Sequence, residues 1–252
     1  MPGTIHIRFY EELNDFLPCE RRKTTFNHSF SGQPTIKDII ESLGIPHVEV
    51  DLILANGQSV DFNFKPGAND LISVYPVFES LDISQVTRLR PKPLRNIRLI
   101  LDVHLGKLAR YLRLLGFDSL YETDLKDEQI VTISSKEKRI VLTRDIQLLK
   151  NGLVTHGYWI RSQNPVEQLK EVIQRLDLSK KVRPFHRCME CNGIIRHVDK
   201  TEIIDDLQPK TKAHYKDFYR CGQCRHIYWN GSHYQRMVSM LETLDIIISA
   251  PK

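Results

Sequence analysis

Four of the five cysteines in this 252-residue chain fall in two pairs, CMEC at 188–191 and CGQC at 221–224, with 29 residues between them. No other feature constrains the fold as tightly. Each Cys-x-x-Cys pair must turn sharply to aim two sulfurs at one point, and two such knuckles build a tetrahedral four-thiolate zinc site of the ribbon kind. Asn192-Gly193 after the first pair and Gly222 within the second suit those turns. A site closed by four thiolates has no open position, so the expected Zn²⁺ is structural. Each pair could instead be a redox dithiol, but two pairs on one β-rich stretch favour the metal. The loop between the pairs has room for an extra strand pair. Cys19 stands alone and is expected to be an ordinary thiol.

The rest of the composition is that of a globular chain, with 41% apolar and 27% charged residues. The first residues meet charge too early for a signal-peptide core, and no run reaches the roughly 18 apolar residues of a membrane span. The expectation is a soluble, cytoplasmic protein. Its formal charge of +5 is unevenly spread: residues 1–80 hold 6 Lys and Arg against 11 Asp and Glu, and the remainder holds 30 against 20. A basic body behind an acidic front points to a polyanion such as RNA as a partner for the body.

Residues 1–79 read as a small α+β domain. TIHIRFY alternates with period two, TIKDIIESLG has helical spacing ending in Gly44, and VDLILANGQSVDF is a hairpin about Asn56-Gly57. DLISVYPVF supplies a last strand. This order resembles the β-grasp (ubiquitin-like) fold of small sulfur carriers. The activated Gly-Gly end of those carriers is missing, because the last strand runs on into ESLDISQVTRLRPKPLRN, so a module that docks a protein partner or solubilises the chain is the expectation. Residues 80–96, with Pro91, Pro93 and several basic residues, suit an extended linker.

From residue 97 strands and helices alternate, which predicts a parallel sheet buried on both faces in a domain over 97–182, with the ribbon and a final helix over 183–252. IRLIL, RIVLT and GYWIR are the strands. In LGKLARYLRLLG, Leu105, Leu108, Ala109, Leu112 and Leu115 share one face and Lys107, Arg110 and Arg113 the other, with Gly116 ending the helix. DEQIVTISSK and PVEQLKEVIQRL are further helices.

Two of the strands finish on an acid: LILD on Asp102 and IVLTRD on Asp145. Ligands of open α/β sheets bind at carboxyl strand ends. If the strands are parallel neighbours, the two carboxylates converge and call for a hard cation such as Mg²⁺ or Mn²⁺. The competing reading makes each Asp a helix cap. YETDLKDEQI offers a third acid: Asp127 in the first turn of a helix is preferred over Asp124 and Glu128, with Glu122 also nearby, although a helix dipole alone favours acids there. Arg144 and the Lys107, Arg110 and Arg113 face would ring such a site for a phosphodiester, or would simply be solvated. In YWNGSH, Tyr228 and Trp229 are candidates for stacking on bases and His233 for a phosphate contact or an acid-base role; the plainer reading is a core Trp with a polar turn.

Taken in order, DVHLGKLARYLRLLGFD, RIVLTRD, the two Cys pairs and YWNGSH resemble the Mut-seven C-terminal RNase family over about residues 97–240, and a ubiquitin-like domain in front is a known arrangement of that family. The resemblance implies a PIN-like nuclease fold carrying a zinc ribbon, and metal-dependent RNA cleavage with Asp102, Asp127 and Asp145 as the acids. Many PIN nucleases have a fourth acid soon after the third, and IQLLKNGLVTHGYW contains none. The alternative is therefore a catalytically weak or inactive RNA-binding adaptor that uses the ribbon and the basic surface.

Overall fold

The computed structural model describes residues 3–77, 86–89 and 97–242. The expected linker at 80–85 and 90–96, and the chain beyond Glu242, lie outside the described residues. Contacts divide the chain into two compact units, one of Met1–His104 with Asp124–Arg161 and one of Leu105–Thr123 with Ser162–Lys252.

The first unit opens with β1 (Gly3–Phe9), β2 (Phe26–Phe30), α1 (Ile36–Ser42), β3 (Val50–Ala55), β4 (Gln58–Val60) and β5 (Leu71–Pro76). The sheet order is β2-β1-β5-β3-β4. Only β1 and β5 pair in parallel, at the centre, with Ile7 opposite Ile72. That arrangement is the expected β-grasp. The period-two pattern of β1 places Ile5, Ile7 and Phe9 in the core with Ile36, Ile40, Ile53 and Val74, each such burial being worth about 1.5–3 kcal/mol. Thr35 caps α1 in a reciprocal capping box with Asp38, which holds the helix across that core. Asn56 and Gly57 have φ of +49° and +80°, the two positive angles the β3–β4 hairpin requires.

The chain continues through β6 (Arg98–Leu101), α2 (Gly106–Leu114), β7 (Asp118–Leu120), α3 (Asp127–Glu137), β8 (Ile140–Thr143), α4 (Ile146–Leu149), β9 (Gly157–Trp159) and α5 (Pro165–Arg175). Within the first unit β6 pairs with β8 and β8 with β9, both in parallel. Leu99, Ile100, Leu101, Val141 and Leu142 are all 0% exposed, as continuous apolar strands covered on both faces should be.

The β-grasp packs directly on this parallel sheet inside the same unit. The His47 ring Nε2 lies 3.0 Å from the Val154 carbonyl. The Trp159 N–H donates to Glu49 Oε1 at 2.7 Å, and Lys150 Nζ donates to the Glu41 carbonyl. Arg161 donates to Asp15 Oδ2 at 2.8 Å and stacks over Phe16 and Trp159. Gly157 makes room for the contact, since a Cβ there would sit 2.6 Å from Leu149 and 3.3 Å from Val48.

In the second unit the predicted α2 face is buried as expected, Leu108, Ala109 and Leu112 all being inaccessible, and α2 packs on α5. The ribbon is an antiparallel sheet of β10 (Ile195–Val198), β11 (Phe218–Cys221) and β12 (Ile227–Trp229), followed by α7 (Ser232–Glu242). The long loop between the cysteine pairs does carry paired strands, β10 and β11. Between those strands it also makes a helical excursion that includes α6 (Pro209–His214).

Candidate functional site

The cysteines form the more fully built of two centres. The sulfurs of Cys188, Cys191, Cys221 and Cys224 all lie within 4.8 Å of one another, with Cys188–Cys224 at 3.5 Å and Cys191–Cys221 at 3.4 Å. Tetrahedral coordination with Zn–S bonds of about 2.3 Å needs sulfurs about 3.8 Å apart, so four soft donors at this spacing fit Zn²⁺. Without a cation the four sulfurs do not ionise alike: burial pushes the Cys191 and Cys224 thiols up, and backbone geometry favours the thiolate at Cys221. Burial disfavours the Cys221 anion, but the N–H groups of Cys224 and Gln223 directed at its sulfur outweigh that, and its pKa falls to about 7.

Three groups beyond the sulfurs hold the first knuckle. The Tyr228 hydroxyl lies 3.0 Å from Cys188 Sγ and accepts the Met189 N–H. Burial, then Cys188, raise the Tyr228 pKa, so it stays a neutral donor. Asn192 Nδ2 donates to Asp118 Oδ1 while its Oδ1 accepts the Ser119 N–H, tying the knuckle to β7. Arg113 is the third. The helical pattern placed it on the solvated, RNA-facing side of α2, but it is 3% exposed and donates to the carbonyls of Ser119, Tyr121, Met189 and Glu190. It clasps the knuckle and has no face left for phosphate. The amphipathic pattern failed there because α2 is covered on a second side, and a fork of five N–H donors can be buried when carbonyls meet it. Tyr228 is likewise committed to Cys188 rather than free to stack on a base.

The strand-end acids form the second centre. Because Leu101 is in register with Leu142, Asp102 falls beside Thr143. Thr143 Oγ1 donates to Asp102 Oδ2 at 2.7 Å and accepts the Asp145 N–H at 2.9 Å. Asp102 Oδ1 accepts the His104 N–H at 3.0 Å, and the residue is 6% exposed. Asp145 is exposed and caps α4, its Oδ1 accepting the Gln147 N–H at 2.7 Å. Both acids thus meet local N–H groups as caps do, and Thr143 links them across neighbouring strands. The sequence offered no signal for Thr143 except its place in the second motif.

Asp127 is the first residue of α3 and is exposed, as are Asp124 and Glu128. Among the described residues the four cysteines are the group of three or more whose ligand atoms share one ion's reach; the acids do not form such a group. The donor set nevertheless suits a hard cation. Each Asp102 oxygen accepts one hydrogen bond and keeps a lone pair, and Mg²⁺ needs only one or two carboxylates beside water and phosphate oxygens. Of the basic candidates, Lys107 and Arg144 are exposed, and Arg110 is half-exposed and paired with Glu190 at 2.7 Å. Trp229 is 36% exposed, and the His233 side chain lies outside the described residues.

A β-grasp domain, a parallel sheet ending in acids and a four-cysteine ribbon define the class: a nuclease-like chain with a ubiquitin-like front. The sequence matches the Mut7-C RNAse domain over residues 97–241 and the Mut7-C ubiquitin domain over residues 2–82. The chain belongs to the Mut7-C RNAse domain family. Among curated proteins none matches it. Two solved structures of small archaeal modifier protein 1 from Haloferax volcanii are similar in part, at 14% and 16% identity. They cover 30% and 31% of this chain and 99% and 100% of their own, each with a TM-score of 0.25. No helix of the described residues is long and apolar enough to cross a membrane.

Proposed function

We propose that the protein is a metal-dependent ribonuclease that hydrolyses phosphodiester bonds of RNA. One observation carries the reading: in a chain of an RNase family, two acids stand at the carboxyl ends of adjacent parallel strands, where one hydroxyl donates to the carboxylate of Asp102 and accepts the backbone N–H of Asp145. Asp102 and Asp145 would hold a Mg²⁺ or Mn²⁺ ion, with Asp127, or else Asp124 or Glu128, as the outer acid. When bound, such an ion activates water and neutralises charge developing on the phosphate. Thr143 and the His104 N–H each hold one oxygen of the Asp102 carboxylate. The Asp145 cap fixes the second carboxylate at the start of α4. Exposed Arg144, in the same unit as the acids, supplies a cation for the RNA backbone.

The β-grasp domain, docked on the sheet through His47, Glu49 and Phe16, leaves its outer strand β2 as an edge suited to a protein partner. A second reading, an RNA-binding adaptor without catalysis, draws support from Asp145 acting as a cap and from the absence of a fourth acid in residues 146–159.

The deciding experiment is cleavage of end-labelled single-stranded RNA with Mn²⁺ or Mg²⁺. Cleavage that disappears in Asp145→Asn supports the nuclease. Tight binding without cleavage by folded, zinc-loaded protein leaves the adaptor.

A further inference from the structure

The ribbon and α7, with Arg110 and Leu114 of α2, line an open cavity of about 620 Å³ that the strand-end acids do not touch and that zinc does not explain. Its size falls in the range of ligand pockets, about 300–1,000 Å³. Four aromatic rings are part of its lining. Phe185 and Tyr234 lie with centroids 4.4 Å apart, and Tyr215 and Trp229 lie 6.3 Å apart. These side chains are partly exposed rather than sealed in the core. Exposed Lys210 and His214, both on α6, stand at the lining with Arg110. The lining carboxylate, Glu190, is already neutralised by Arg110 at 2.7 Å.

An apolar, aromatic-lined cavity beside an exposed lysine and a histidine matches one chemistry closely: a planar base with a phosphate on either side. Stacking on aromatic faces tolerates every base, and lysine tracks the backbone. A duplex keeps its bases stacked inside, so the strand must be single. We infer that this cavity binds an unpaired nucleotide of single-stranded RNA, its base stacked on the aromatic lining of Phe185, Tyr234, Tyr215 and Trp229 and its phosphates against Lys210 and His214. The site deepens the ribonuclease reading and rests on it for the choice of RNA. It assigns the helical excursion of the ribbon a purpose: α6 brings Lys210 and His214 to the lining.

The chain has two tryptophans, Trp159 and Trp229. In the double variant Asp145→Asn, Trp159→Phe, RNA is left uncut and Trp229 is the sole fluorescent indole. Titration with a short oligouridylate should quench it saturably. Anisotropy of the same labelled RNA should show Tyr234→Ala and Trp229→Ala binding about tenfold more weakly. Lys210→Glu should bind several-fold more weakly with a shallower salt dependence. Zinc content should be unchanged in each variant, which reports that the ribbon is intact. RNA binding with unaltered Trp229 fluorescence and no loss in Tyr234→Ala would overturn the inference, as would quenching by an apolar peptide and not by RNA. The wild-type cleavage assay separates the two claims. Quenching without cleavage sinks the nuclease and leaves the pocket; cleavage without quenching sinks the pocket alone.

Discussion

Thr143 Oγ1 donates to Asp102 Oδ2 at 2.7 Å, and the same oxygen accepts the N–H of Asp145 at 2.9 Å. The hydroxyl is 0% exposed and the carboxylate nearly so. Thr143→Val keeps the shape and removes both bonds, leaving a buried carboxylate oxygen short of a donor. Urea denaturation should show a loss of about 1–3 kcal/mol. RNA cleavage should fall with it, and Thr143→Ser should restore both. A cleavage rate unchanged in Thr143→Val would remove the hydroxyl from the site.

Asp145 can be a cap, a metal ligand or both, and two substitutions separate the roles. Asn caps a helix as well as Asp. Asp145→Asn should therefore keep the unfolding midpoint to within about 0.5 kcal/mol while abolishing Mn²⁺-dependent cleavage. Asp145→Ala should lose the activity and, in addition, about 1 kcal/mol of stability. Equal activity in wild type and Asp145→Asn would leave only the cap.

The cysteine quartet predicts one zinc per chain by elemental analysis. Cys191→Ser, or prolonged chelation, should remove it. Near-UV circular dichroism from the ribbon aromatics should collapse, because the metal supplies much of the folding energy of so small a sheet. Acidification should release the ion, since protons compete for the thiolates.

Arg113 is placed to hold the first knuckle rather than RNA. Arg113→Met fits the same volume and leaves four carbonyls without its donors. The expected result is a loss of roughly 3 kcal/mol and faster zinc release to a chelator, with RNA affinity per folded molecule unchanged. A drop in affinity with normal zinc retention would return Arg113 to the RNA surface.

His47 ties the β-grasp to the loop before β9. Burial, then the charge of Lys37, lower its pKa, and its bonds to Glu41 and the Val154 carbonyl only partly oppose them. The unfolded chain therefore takes up a proton at a higher pH than the folded one. The contribution is present above the unfolded value of about 6.5 and is lost as pH falls below it. Unfolding midpoints measured from pH 7.5 down to 5 should decline in wild type, and the part due to His47 should be absent in His47→Gln.

Much of this architecture was legible in one dimension because its signals are local. Period-two runs gave β1 and β5, helical spacing gave α1, α2 and α5, and the two Cys-x-x-Cys pairs announced the four-sulfur cluster. Asp102 and Asp145 also stood out, each closing an apolar run.

By itself the sequence determined the longer strands and helices, the knuckles and the strand-end acids, since propensity and periodicity depend on neighbours a few positions away; the short β2, β7, α4 and α6 carried too few residues for such a pattern and were not read from it. Tertiary structure alone decided how they are used. The parallel pairing of β6 with β8 joins residues some forty positions apart and sets Asp102 beside Thr143. A second packing surface turned Arg113 inward, and the fold placed His47 against Val154, 107 residues away. A buried polar group must find its partner wherever the fold delivers one, and no pattern within a single helix or strand records where that will be.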